Sequence, residues 1–164
     1  MKTDMKHFIT ATALTLLAMG SGHVLAQSMA APLKATPASA YPVVPAPGLY
    51  QAFGEQQGLR TLMDDFVKRL KADARIGDQF RDTNADALAQ SLTLQLCQLS
   101  GGPCTYKGAD MKTAHRNMDI TKAHFNALVE VLQDSMNARG IPFTRQNQML
   151  ALLAPMHRDT VTVR

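Results

Sequence analysis

Helical periodicity dominates this chain from about residue 48 onward, and strand-like alternation of apolar and polar residues is nearly absent. Four segments repeat apolar residues at i, i+3, i+4 and i+7, a spacing that places their side chains on one face of a helix. The segments cover residues 59–70, 84–99, 121–138 and a stretch from about Thr144. The sequence therefore predicts an all-α fold.

One of these helices carries boundary signals at both ends. Thr121 is a suitable N-cap, because its hydroxyl can accept a hydrogen bond from a free backbone N–H. Gly140 and Pro142 follow the helix that begins there and are typical stop signals. The chain contains no internal repeat.

Residues 1–26 have the layout of a secretory signal peptide. Lys2 and Lys6 precede an apolar run over residues 8–19, and small residues lead to a predicted cleavage after Ala26. The run is too short to span a bilayer comfortably, and a buried core helix is the alternative. We therefore expect a periplasmic or secreted protein with no membrane span after cleavage.

The next segment, residues 27–47, is rich in Ala and Pro and predicts a disordered linker. Residues 48–164 then have the length of one small domain. The whole chain has a net charge of +4, which falls to +3 once residues 1–26, with two lysines and one aspartate, are removed. The basic residues are scattered without interleaved aromatics, so we expect no nucleic-acid partner.

Cys97 and Cys104 are the only cysteines, and they flank a Gly-Gly-Pro turn. In an oxidising compartment this arrangement favours a disulfide. Two free thiols are one alternative. A metal pair with His115 is another, although zinc would need a fourth ligand.

Two polar residues interrupt apolar helix faces. Gln95 lies on the stripe of Leu88 and Leu92, where it either bonds to neighbouring protein groups or faces a polar ligand. His115 shares a face with Met111 and Met118. A histidine there is more often a core residue than a ligand, and both readings stay open on these grounds alone.

The order of these features resembles the group I truncated haemoglobins, and here a bacterial, exported member with a cysteine pair. The stretches that carry the resemblance are "LYQAFGEQQGLRTLMDDFVKRLKAD", "LCQLSGGP", "YKGADMKTAHRNMDIT" and "LLAPMHRDTV". The resemblance covers nearly all of residues 49–162. It implies a two-over-two helical sandwich around haem b.

By position, the resemblance makes His115 the ligand of the haem iron and Phe80 a residue that packs on the haem. Lys112 is placed to meet a haem carboxylate at the pocket rim, with a solvated helix face as the alternative. The expected haem-binding residues are Phe66, Val67, Phe80, Leu88, Leu92, Gln95, Leu96, Met111, Lys112, His115 and Met118.

The chain departs from the family pattern on the ligand side of the haem. Val67 stands where family members commonly have a tyrosine, and Leu88 stands at a position where glutamine is common. We therefore expect a largely apolar pocket in which Gln95 is the single candidate hydrogen-bond donor.

The resemblance implies reversible binding of oxygen, nitric oxide, carbon monoxide or related small ligands. It leaves open whether the chain is an enzyme, since slow nitric oxide oxidation and peroxidase-like activity are both compatible with it. It identifies no redox partner. The alternatives are a haem-free helical adaptor and a haem scavenger or carrier.

Overall fold

The computed structural model describes residues 44–163. These residues form seven α-helices and two short 3₁₀ turns, and none of them lies in a β-strand. The all-α prediction is therefore confirmed. The predicted signal peptide (1–26) and residues 27–43 of the predicted linker lie outside the described residues.

The helices follow one another with short connections, apart from a longer loop between α3 and α4. In chain order the elements are α1 (Leu49–Ala52), α2 (Glu55–Ala72), a 3₁₀ turn (Gly77–Phe80), α3 (Ala85–Leu99), α4 (Met111–Ala114), α5 (Lys122–Ala138), α6 (Phe143–Leu153), a second 3₁₀ turn (Ala154–Met156) and α7 (His157–Thr160).

Side-chain caps fix the starts of α3 and α5. The Thr121 hydroxyl accepts a hydrogen bond from the His124 backbone N–H (3.2 Å), and His124 Nδ1 accepts one in return from the Thr121 N–H (3.4 Å). The predicted cap at Thr121 is thus confirmed. Asn84 caps α3 by accepting from the Ala87 N–H (3.0 Å). Beyond the end of α5, Gly140 has φ 66°, a left-handed conformation that glycine adopts readily.

The longest helix, α2, is the centre of the core. It packs most extensively against α3 and next against α5, while α5 also contacts α6. The α2–α3 pair and the α5–α6 pair are the two layers of the sandwich. Each apolar side chain that is fully buried stabilises the folded state by about 1.5–3 kcal/mol. The buried face of α2 consists of Leu59, Leu62, Met63, Phe66, Val67 and Leu70.

The last residues of the predicted linker contact the domain. The Pro47 carbonyl accepts a hydrogen bond from Arg145 Nη1 (3.2 Å), and the Ala46 carbonyl accepts one from the Leu49 N–H (3.1 Å). The contacts of the domain therefore begin before residue 48. Within residues 44–163, no helix combines the length and the hydropathy needed to cross a membrane.

Candidate functional site

A mostly apolar cavity of about 540 Å³ opens between α2, α3, α5 and the C-terminal helices. Its volume falls within the range of about 300–1,000 Å³ that is typical of small-molecule and cofactor pockets. Eight of the eleven residues that the sequence predicts for haem binding line it. They are Phe66, Phe80, Leu88, Leu92, Gln95, Leu96, Met111 and His115.

His115 is held in one orientation on the cavity wall. It follows the last residue of α4 and is partly buried, and its Nδ1 lies 2.8 Å from the carbonyl oxygen of Met111. A carbonyl oxygen only accepts, so Nδ1 carries the proton and donates it. The neutral ring then keeps a lone pair on Nε2, which is the form that binds a metal.

Asp110 fixes the start of the short helix that leads to His115. Its carboxylate accepts hydrogen bonds from the Thr113 backbone N–H (2.9 Å) and hydroxyl (2.8 Å). These bonds, the backbone bond most of all, hold the pKa of Asp110 below its usual value. The cap therefore works in its charged form, as is favourable at a helix N-terminus.

Gln95 is nearly buried and faces two thioether sulfurs. Its Nε2 lies 3.8 Å from Met111 Sδ and 3.7 Å from Met156 Sδ. Sulfur is a weak acceptor, so the amide bonds neighbouring elements only weakly. Asn126 and Gln133 add further amides to the wall from α5. Gln95 is therefore not the only amide residue on the wall, and its role as the single donor beside the ligand stays a prediction.

Three residues of the predicted set do not line the cavity. Successive residues of a helix point about 100° apart, so Val67, next to Phe66, faces a shallow depression that includes Ala85 of α3. Lys112 follows Met111 and is exposed on α4. Met118 lies beyond α4, which ends at Ala114, and the left-handed backbone of Asn117 separates it from His115, so the two do not share a helical face.

Much of the cavity wall lies outside the set of residues predicted from the sequence. Met63 and Leu70 lie on the same face of α2 as Phe66, and that spacing was a usable signal. The other missed residues come from α5 and the C-terminal helices, where the same apolar stripe also fits a closed core. They are Phe125, Asn126, Leu128, Val129, Glu130, Leu132, Gln133, Leu150, Leu153, Ala154, Met156 and Thr160.

An ion-pair network lies at one edge of the cavity. Arg75 donates to both carboxylate oxygens of Asp73 (3.1 Å from Nε and 2.8 Å from Nη2) and to Glu130, a wall residue of α5. These bonds, first to Asp73 and then to Glu130, raise the pKa of Arg75. The network connects the turn after α2 to α5. The sequence gives no signal for it, because the paired residues lie far apart in the chain.

The two cysteines form a disulfide, as predicted. Cys97 and Cys104 are bonded, with their Cα atoms 5.7 Å apart, so the alternatives of free thiols and of a metal pair with His115 are wrong. Cys97 is fully buried near the end of α3. A Cβ atom on Gly102 would lie 2.7 Å from Cys97 Sγ and 2.6 Å from the Tyr50 ring, so only glycine fits beneath the bridge.

The other two histidines of the domain have structural contacts. His124 takes part in the cap of α5. The His157 ring meets the ring of Phe125 edge to face, with centroids 4.7 Å apart and planes at 85°. Neither residue lines the cavity. His115 is therefore the one histidine among the described residues that faces it.

Comparison with known proteins identifies the family. The family described as bacterial-like globin matches residues 48–162. The chain is also 30% identical over 114 residues to the group 1 truncated hemoglobin GlbN of Mycolicibacterium paratuberculosis, covering 70% of this chain and 84% of that protein. This chain belongs to the group 1 truncated haemoglobins.

Further truncated haemoglobins agree with this assignment. The protein from Tetrahymena pyriformis is 28% identical over 111 residues, which cover 68% of this chain and 92% of that one. Its Fe(III) crystal structure has a TM-score of 0.66, with 27% identity over 69% of this chain and 97% of that chain. The 2/2 hemoglobin of a Synechococcus species, 20% identical with a TM-score of 0.65, shares the fold. The two-over-two sandwich is therefore confirmed.

Haem with its iron is the cofactor of truncated haemoglobins, and the residues of this cavity fit it. The wall is mostly apolar, which suits a flat porphyrin. One histidine faces the interior with its Nδ1 bonded to a backbone carbonyl, the arrangement that fixes an imidazole ligand on a metal. His115 is the residue that would hold the iron.

Proposed function

We propose that this truncated haemoglobin reversibly binds oxygen, nitric oxide and carbon monoxide outside the cytoplasm. The observation that carries the proposal is the orientation of His115, whose Nδ1 is bonded to the Met111 carbonyl on the wall of an apolar cavity. When bound there, the haem would supply an iron that can coordinate a diatomic ligand. His115 would hold that iron, and the apolar wall would exclude water.

The cavity chemistry favours ligand binding over turnover. Among the described residues, only His115 and Glu130 contribute ionisable side chains to the wall. His115 is committed to the iron in this proposal, and Glu130 is paired with Arg75. General acid–base catalysis requires a free titratable group beside the substrate. We therefore rank reversible binding above peroxidase-like activity.

One spectroscopic experiment tests haem binding. The purified chain, expressed with ample haem, should show a strong Soret band, and His115→Ala should lose it or shift it to that of weakly held haem. His124→Ala is the matched control, since His124 lies outside the cavity, and it should keep the band. Absence of the band in the unmodified chain would support the haem-free adaptor instead.

A haem scavenger would share the spectrum but differ in kinetics. A carrier must release haem readily, so rapid transfer to an excess of an apo-globin acceptor would favour the scavenger. We expect slow transfer, because the cofactor would be enclosed by α2, α3 and α5 and bonded to His115.

Export is supported by the signal-peptide layout of residues 1–26 and by the Cys97–Cys104 bridge, since disulfides persist in oxidising compartments. The mature chain should begin at Gln27 and be recovered from the periplasm or medium. N-terminal sequencing after cell fractionation measures this directly. A cytoplasmic protein that retains residues 1–26 would contradict the proposal.

A further inference from the structure

The chain segment that carries His115 has no buried residue of its own. From Gly101 to Asp119 every residue is exposed or only partly buried, including all four residues of α4. The first buried side chain after this stretch is Ile120, which is 6% exposed. Its own side chains therefore contribute little core packing to the position of α4, and a single helical turn is not stable by itself. The contacts at the two ends of the segment therefore matter for its position.

The end before α4 is attached in two ways. The Cys97–Cys104 bridge ties the loop to α3, and Asp110 caps the first turn. The end after α4 is less regular. Asn117 (φ 62°) and Asp119 (φ 49°) are both left-handed, an uncommon conformation for residues other than glycine. Asn and Asp adopt it more readily than other residues, and surrounding contacts help to hold it here.

Those contacts come from the C-terminal tail. The Ile120 N–H donates to the Thr162 hydroxyl (2.8 Å), and the Ile120 carbonyl accepts from the backbone N–H groups of Thr162 (2.9 Å) and Val163 (3.0 Å). Both backbone groups of Ile120 are thus bonded to the tail. The preceding helix, α7, packs against α4.

We propose that Thr162 is a positioning residue for His115. Its hydroxyl fixes the Ile120 N–H, and the tail thereby holds the end of the segment that carries the iron ligand. This role rests on the proposed function, in which His115 binds haem iron. Thr162 itself is exposed and does not line the cavity, so it acts through Ile120 and not by touching haem.

The test compares three variants of the full mature chain. Thr162→Val keeps the side-chain shape but removes the hydroxyl, and Thr162→Ser restores the hydroxyl. Thr61→Val is the matched control, because Thr61 is an exposed threonine of α2 whose hydroxyl bonds the Gln57 carbonyl. Since both sites are exposed, all three variants should fold.

For haem-loaded protein we expect Thr162→Val to transfer haem to an excess of apo-globin about tenfold faster, the factor that 1.4 kcal/mol supplies. The iron–histidine stretching frequency in the resonance Raman spectrum of the ferrous protein should also shift. Thr162→Ser should restore both values, and Thr61→Val should leave both unchanged. An unchanged rate and frequency in Thr162→Val would overturn the proposal, as would a change that Thr162→Ser fails to reverse.

A second measurement does not depend on haem. Amide hydrogen exchange at Ile120, followed by NMR with and without haem, should be faster in Thr162→Val and unchanged in Thr61→Val. If the unmodified chain shows no Soret band, the proposed function fails, and exchange at Ile120 still decides whether Thr162 holds the segment. If the band is present and exchange at Ile120 is unchanged in Thr162→Val, the positioning role alone is wrong.

Discussion

Removing the Cys97–Cys104 bridge should lower the stability of the domain by a calculable amount. The bridge closes a loop with a sequence separation of 7. For about eight residues in the closed loop, the chain-entropy relation gives about 2.5 kcal/mol at 25 °C, through a less constrained unfolded state. For a domain of this size, a change of that magnitude lowers the melting temperature by about 10 °C.

The assay is thermal unfolding followed by circular dichroism. It compares the unmodified chain, with and without reductant, to the double variant Cys97→Ala/Cys104→Ala. Reduction isolates the effect of the bond, while the double variant adds the loss of a fully buried sulfur at Cys97. The reductant should leave the double variant unchanged, which controls for its effects on the rest of the protein.

The same perturbation should also speed haem loss, because the bridge ties the loop that leads into α4 to α3. Intact mass with alkylation first establishes that the native thiols are bonded. A melting temperature that moves by less than about 2 °C on reduction, a small fraction of the expected shift, would refute the entropic reasoning. It would mean that the unfolded chain is already compact around this turn.

Three further predictions concern the cavity and α4. Asp110→Ala should speed haem transfer at pH 7. Because the pKa of Asp110 in the folded protein is lowered from 3.8, the charged cap is complete above that value and is lost as the pH falls through the folded pKa. The unmodified chain and the variant should therefore transfer haem at the same rate in acid. Lys112→Ala should change haem transfer by less than about twofold, because an exposed cation gains little from a carboxylate; a larger effect would show a contact with the haem carboxylates. Gln95→Leu should change oxygen release, measured by stopped flow, by less than about threefold, because its amide faces the weakly accepting sulfurs of Met111 and Met156; an acceleration of tenfold would place that amide beside the ligand.

The sequence predicts the long helices well because their apolar stripes have a clear period. The predicted segment 121–138 corresponds to α5 at Lys122–Ala138, and 84–99 corresponds to α3 at Ala85–Leu99. The sequence predicts one helical face over Met111, His115 and Met118. In the structure the helix ends at Ala114, and the left-handed backbone of Asn117 then turns the chain. Asparagine adopts that conformation more often than most residues, but a single asparagine does not by itself mark a helix end.

The cavity wall is only partly predictable for a different reason. An apolar stripe shows which residues of a helix turn inward, but whether they meet another helix or a cavity depends on how the helices are placed. Leu128 and Leu132 lie on one apolar stripe of α5. Leu128 is partly buried and Leu132 is buried, and both line the cavity, so burial alone does not show which residues face it. The pairing of Arg75 with Glu130 is equally invisible, because 55 positions separate the two residues.

Two kinds of force hold this site, and they should respond differently to mutation. The cavity walls belong to helices that are packed into the core, so a change such as Phe66→Ala should cost about 3–5 kcal/mol and reduce stability and haem binding together. The segment with His115 instead depends on hydrogen bonds at Asp110 and Thr162. Changes there remove no core contact, so they should speed haem loss while leaving the melting temperature of the haem-free chain nearly unchanged. Plotting haem transfer against melting temperature for all the variants should therefore give two groups, and a single line through every variant would show that α4 is held by the core after all.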